Sequence, residues 1–130
     1  MTGRAECFLA RTDNAFEETV RRLNAYREAG ADVLYAPGQQ DPAEIAALVR
    51  AVDGPINVVV GRKDTPLTVD VLAEAGVKRV SIGGALFHAC YGYLRNAAEE
   101  MRDKGTFNWS STVLDRSYLK DAIAAGEALR

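Results

Sequence analysis

The sequence predicts an α/β fold of four βα units on a parallel sheet, and three observations point to it. Short apolar runs at 7–10, 33–36, 56–60 and 79–82 are rich in β-formers, as buried parallel strands are. Between them lie segments of helix length that open on helix-start residues. Two of those segments leave through glycine directly before the next run, in Ala29-Gly30-Ala31-Asp32-Val33 and in Ala75-Gly76-Val77. Glycine there accepts the left-handed conformation that ends a helix and turns the chain back.

Taken in order, Cys7-Phe8-Leu9-Ala10 is the first predicted strand. The first helix follows from Asn14, an N-cap with Glu17 at the third helical position, and puts Phe16, Val20 and Leu23 on one face. The second strand is 33–36. The second helix has the strongest start, with Asp41 as cap, Pro42 in the first turn and Glu44 behind it, then Ile45, Leu48, Val49 and Val52 inward. The third strand is 56–60, and Thr65-Pro66 opens a helix through Val69 and Leu72. After the fourth strand a helix from about 85 to 104 turns Leu86, Cys90, Leu94 and Met101 inward. A polar stretch at 106–112 and a last helix from about Asp115 to Leu129 complete the chain.

A length of 130 residues allows one domain, and hydrophobic and charged fractions of 48% and 26% place it among globular proteins. A net charge of −2 implies no basic face, so nucleic acid is not an expected partner. The apolar runs are far too short to span a membrane. The first residues hold no apolar signal segment, so the expected compartment is the cytoplasm. The two cysteines, Cys7 and Cys90, sit in apolar patterns and read as buried free thiols.

Few residues could carry chemistry. Arg11 directly follows the first run. At the C-terminal end of a strand, its guanidinium could grip a carboxylate through two parallel hydrogen bonds, or it could pair with Asp13 or Glu17 for structure. Asn57 interrupts the third strand, either as a polar group facing a substrate or as a core amide with its partners supplied. Gly61 closes the third strand and Gly83-Gly84 the fourth. Such turns can bind an anion through backbone N–H groups, though glycine also serves tight βα turns. His88, the only histidine, lies in a helix and reads as filler, and Arg62-Lys63-Asp64 as a solvated turn. No acidic or His/Cys cluster has metal-ligand spacing.

Four βα units are half of a closed eight-unit barrel, which typically needs about 250 residues. A half leaves two strand edges and one sheet face uncovered, so self-association is expected.

Five segments in order resemble the isocitrate lyase / phosphoenolpyruvate mutase superfamily. Leu9-Ala10-Arg11-Thr12-Asp13 resembles its fifth strand, and Ala25-Tyr26-Arg27-Glu28-Ala29-Gly30-Ala31-Asp32 the approach to the sixth. Pro55-Ile56-Asn57-Val58 resembles the seventh and Gly76-Val77-Lys78-Arg79-Val80-Ser81-Ile82-Gly83 the eighth. Ala98-Glu99-Glu100-Met101 with Gly105-Thr106 resembles the end of the last barrel helix. The resemblance implies strands 5–8 of a TIM (β/α)8 barrel plus a C-terminal helix. Residues 106–130 would then be an extension exchanged between subunits. It implies a Mg²⁺-dependent lyase or phosphorylmutase acting on a C–C or P–C bond of a small 2-oxo or 2-hydroxy acid. Arg11 matches the arginine that contacts the substrate's acid group, and Asn57 a polar position of the seventh strand.

The family's acidic metal ligands and catalytic loop fall before Met1, so the resemblance implies a chain that acts only with an N-terminal half-barrel. At the sixth strand end this chain has Ala36-Pro37-Gly38 where several lyases carry Glu, which speaks against 2-methylisocitrate lyase activity. The rival readings are a non-catalytic remnant or association module, and an unrelated open α/β anion-binding domain.

Overall fold

The computed structural model describes residues 1–127. The strands are β1 (Thr2–Arg4), β2 (Val33–Tyr35), β3 (Ile56–Val59) and β4 (Arg79–Ser81), all parallel and in sequence order across one sheet. The helices are α1 (Cys7–Ala10), α2 (Ala15–Glu28), α3 (Pro42–Ala51), α4 (Val69–Glu74), α5 (Ala85–Lys104) and α6 (Arg116–Glu127). They form two compact units, Met1–Leu86 and the segment from Phe87 onward.

In the first unit the sheet has one covered face. Leu34 of β2 and Ile56 and Val58 of β3 pack with Leu23 of α2, Ile45 and Leu48 of α3 and Leu72 of α4. Because side chains alternate along a strand, the residues between them stand on the opposite face.

The first strand corrects the sequence reading. Cys7–Ala10 is a helical turn, and the strand lies earlier, at Thr2–Arg4. In a strand, Cys7 and Leu9 would share a face; instead Cys7 is buried and Leu9 is 52% exposed. The ladder partners of β2 are already taken upstream, where Asp32 and Val33 donate to the Met1 carbonyl and Ala5 donates to that of Tyr35. The turn closes when Ala10 donates to the carbonyl of Glu6 and Thr12 to that of Cys7.

The caps divide. Asp41 accepts from the Ala43 amide at 2.8 Å, as its position predicts, with Pro42 behind it. Asn14 does not cap: it is left-handed and its side chain bonds no helix amide. The third helix starts later than Thr65-Pro66, at Val69, where Thr68 accepts from the Val71 amide at 3.2 Å. Gly30 and Gly76 leave their helices at φ 96° and 88°, the left-handed exits expected of them.

In the second unit the reading of α5 needs correcting. Leu86, at the end of the first unit, is exposed, as are Cys90, Leu94 and Met101, and Ala97 is the buried residue of that helix. The period of 3.6 gave α5 an apolar stripe, but a stripe is buried only where another element lies against it. Cys7 is a buried free thiol as expected, and Cys90 is not. The predicted end of the last helix at Leu129 lies outside the described residues.

The stretch after α5 is a 3-10 turn over Asn108–Thr112, organised by Glu100. Its carboxylate accepts from Thr106 Oγ1 at 2.6 Å and the Asn108 amide at 2.7 Å. Tyr93 adds a hydrogen bond to the Trp109 carbonyl at 2.5 Å. The bonds from Thr106 and Asn108 hold the Glu100 pKa below its ordinary 4.5. A depressed carboxylate stabilises above its unfolded pKa, and the contribution is lost as pH falls through the lower folded value. Acid titration is therefore expected to loosen this turn only as pH falls below the ordinary glutamate value of 4.5. Trp109, the sole tryptophan, reports it by fluorescence. Glu100→Gln should shift the emission at neutral pH and flatten the acid transition; an unaltered transition would assign it elsewhere.

Among the described residues no helix is long and apolar enough to cross a membrane.

Candidate functional site

Because all four strands run parallel, their C-terminal ends share one edge of the sheet, where ligand sites of such folds form. Arg11 lies in the first loop at that edge. It ends α1 in the left-handed region, φ 52° and ψ 44°, and is exposed. Neither Asp13 nor Glu17 pairs with it, so the structural alternative has no ion pair behind it among the described residues.

The second loop touches the first. A Cβ on Gly38 would stand 3.0 Å from Phe8 Cβ and 3.3 Å from Leu9 Cδ2, so α1 lies directly on this turn. Gln40 accepts from Thr65 Oγ1 at 3.1 Å and donates to the Gln39 carbonyl at 2.7 Å, joining the second and third loops. The third begins at Gly61, φ 93°. A Cβ there would come within 2.6 Å of that of Ala85, so only glycine fits between the end of β3 and the start of α5. The fourth holds Gly83, φ 50°, and Gly84, after which Ala85 donates to the Ile82 carbonyl at 3.0 Å.

Asn57 stands apart from this edge. It is 2% exposed, in the second position of β3. Its Nδ2 donates to Ser81 Oγ at 3.0 Å, and its Oδ1 accepts from the Arg79 guanidinium at 2.9 Å. The register aligns Arg4, Tyr35, Asn57 and Arg79 in one row across the four strands, with Ser81 one pleat further along β4. Arg4 lies over the Tyr35 ring, 5.1 Å from its centroid, and is ion-paired with Glu6. That pairing raises the Arg4 pKa further above its ordinary value.

The candidates therefore fall in two places: Arg11 and the three glycines at the loop edge, Asn57 within the polar row. Arg79 and Ser81 were not singled out by the sequence, since 79–82 reads as an apolar run. The signal was the alternation Arg79-Val80-Ser81, polar on every second residue. Among the described residues no three His, Cys, Asp or Glu side chains stand together to hold a metal. The described residues thus do not fit a magnesium site.

The sequence pattern of the phosphoenolpyruvate phosphomutase family matches residues 1–102. A 2-methylisocitrate lyase of Aeropyrum pernix is 31% identical over 118 residues, 86% of this chain and 37% of the relative. An uncharacterised Mycobacterium tuberculosis protein is 32% identical over 79% of this chain and 39% of its own. A solved structure from Burkholderia cenocepacia J2315, described as a lyase/mutase, superposes with a TM-score of 0.82. It is 47% identical and covers 95% of this chain and 44% of its own. Oxaloacetate acetylhydrolase with the product oxalate shares the fold, at a TM-score of 0.76 and 24% identity, over 98% of this chain and 46% of its own. The chain thus spans about two fifths of the length of the curated relatives it matches. With the parallel sheet and this match over most of its length, the chain belongs to the phosphoenolpyruvate phosphomutase family, in the superfamily of lyases and mutases that includes isocitrate lyase.

Proposed function

We propose that this chain is the C-terminal half-barrel, strands 5–8, of a lyase or phosphorylmutase. Its substrate is a small 2-oxo or 2-hydroxy acid, cleaved or rearranged at a C–C or P–C bond. The observation that carries this reading is the sheet face opposite the helices. It bears a hydrogen-bonded polar row where a finished open sheet would bury apolar side chains. Family membership and the span of about two fifths of the relatives support the same reading. In it, Arg11 binds the substrate's carboxylate or phosphonate. Gly61, Gly83 and Gly84 let backbone amides approach the anion. Asn57 holds neighbouring strands in register. The Mg²⁺ implied by the family would need ligands from the four strands that complete the barrel.

A second reading, an association module, is favoured by the exposed apolar residues Phe87, Tyr91 and Leu94 of α5 and Leu119 and Ile123 of α6.

The test compares the chain alone with a chimera in which it replaces the matched region of the Burkholderia cenocepacia protein. Both are assayed with Mg²⁺ on 2-methylisocitrate, 2,3-dimethylmalate, oxaloacetate and phosphoenolpyruvate. Turnover by the chimera alone is expected. A folded chimera inert on all four would overturn the enzymatic reading, and turnover by the isolated chain would overturn the half-barrel.

A further inference from the structure

We infer that Arg79 is a docking group for a protein carboxylate: the segment that closes the barrel presents an Asp or Glu on its own inner face, opposite this guanidinium. This rests on the half-barrel reading.

Arg79 is the first residue of β4, exposed on the uncovered face. One of its five N–H donors is occupied, by the Asn57 carbonyl oxygen at 2.9 Å. Asn57 is itself fixed through Ser81 Oγ and nearly fully buried, so the guanidinium is held from below by a rigid partner. The remaining donors form the planar fork that matches a carboxylate. Among the described residues no acid pairs with Arg79, whereas Arg4, in the same row, has Glu6.

While the face is open, water satisfies this charge. Closing a barrel over it removes the water, and an unpaired buried guanidinium is strongly unfavourable. The covering layer must therefore bring a negative group. Three sources of that group can be compared. A small substrate sits at the C-terminal strand ends of such folds; Arg79 is level with the last residues of β1 and β2 but is the first residue of β4, with Val80 and Ser81 between it and the loop. A second copy of this chain would bring another row of Arg4, Tyr35, Asn57 and Arg79, with no carboxylate in it. A facing strand with an inward Asp or Glu meets both the position and the charge.

The experiment measures Arg79→Met by thermal melting in the isolated chain and in the chimera defined above, with Arg79→Lys as the charge-keeping variant. In the isolated chain, Met should lower Tm by about 4 °C, because it leaves the buried Asn57 carbonyl oxygen without its donor. In the chimera it should lower Tm by on the order of 10 °C, since the facing carboxylate is stranded, and Lys should recover part of that. Equal small shifts in both proteins would overturn the inference while leaving the half-barrel in place. A chimera that does not fold with Arg79 intact would overturn the half-barrel, and the inference with it. In a further arm oxalate is added to the isolated chain. Stabilisation of the natural chain but not of Arg79→Met would assign the carboxylate to a small molecule and overturn the protein source.

Discussion

Arg11→Lys in the completed enzyme is expected to lower kcat/KM roughly 30- to 1000-fold, the equivalent of about 2–4 kcal/mol of lost stabilisation. Lysine keeps the charge but not the planar fork, so a two-point grip on a carboxylate becomes a single contact. The loss belongs to the reaction and not to the fold. Arg11 is exposed at the end of α1, and it has no ion pair among the described residues whose removal would cost stability. Its left-handed backbone, φ 52°, strains lysine as it strains arginine, so that contribution cancels. Tm should therefore stay within about 2 °C while turnover falls. The reverse pattern, a lowered Tm with turnover per folded molecule retained, would make Arg11 a structural residue and remove it from the substrate site.

Leu34→Ala is expected to destabilise the first unit by about 2–5 kcal/mol. Leu34 is 0% exposed at the centre of β2, with a strand on either side. It belongs to the same cluster as Leu23, Ile45, Leu48 and Ile56. The loop before β3 rests on it as well, since a Cβ on Gly54 would stand 3.1 Å from Leu34 Cδ1. The strand ladder holds the site's backbone in place, so the cavity cannot collapse fully. Against a usual total stability of about 5–15 kcal/mol, such a loss is a large share. The urea midpoint checks it: a change below about 1 kcal/mol would mean that the helices close over the gap.

How much of this was legible in the sequence differed from element to element. β2, β3 and β4 lie within one residue of the apolar runs that predicted them. The runs of β2 and β3 lie in strands packed on their helix side, whereas Val80 of β4 is 39% exposed. Cys7-Phe8-Leu9-Ala10 failed because a short apolar run has no periodicity to separate strand from helical turn. What decided it was a ladder with β2, and Thr2-Gly3-Arg4, without an apolar signature, made that ladder. Asp41 was legible as a cap because proline and glutamate flank it at set positions. Asn14 had the right residue types, but its left-handed backbone carries the side chain away from the helix amides.

In the candidate site, Asn57 stood out as polar within an apolar run, but its partners could not be read. Arg79 lies 22 residues away and Ser81 24, and only strand register brings them beside it. Arg11 stood out by type, but the strand it was expected to end is the helical turn α1, so its place was not legible. Its freedom from Asp13 and Glu17 was not legible either, because that depends on the helical turn that the sequence did not announce.

The central claim is that these four strands are part of a larger closed sheet. Hydrogen exchange tests it most directly, on the isolated chain and on the chimera with the rest of the Burkholderia cenocepacia protein. The account predicts that amides of the outer strands, Thr2–Arg4 and Arg79–Ser81, exchange readily in the isolated chain and become protected in the chimera, while β2 and β3 are protected in both. Outer-strand amides that exchange equally fast in a folded chimera would contradict it.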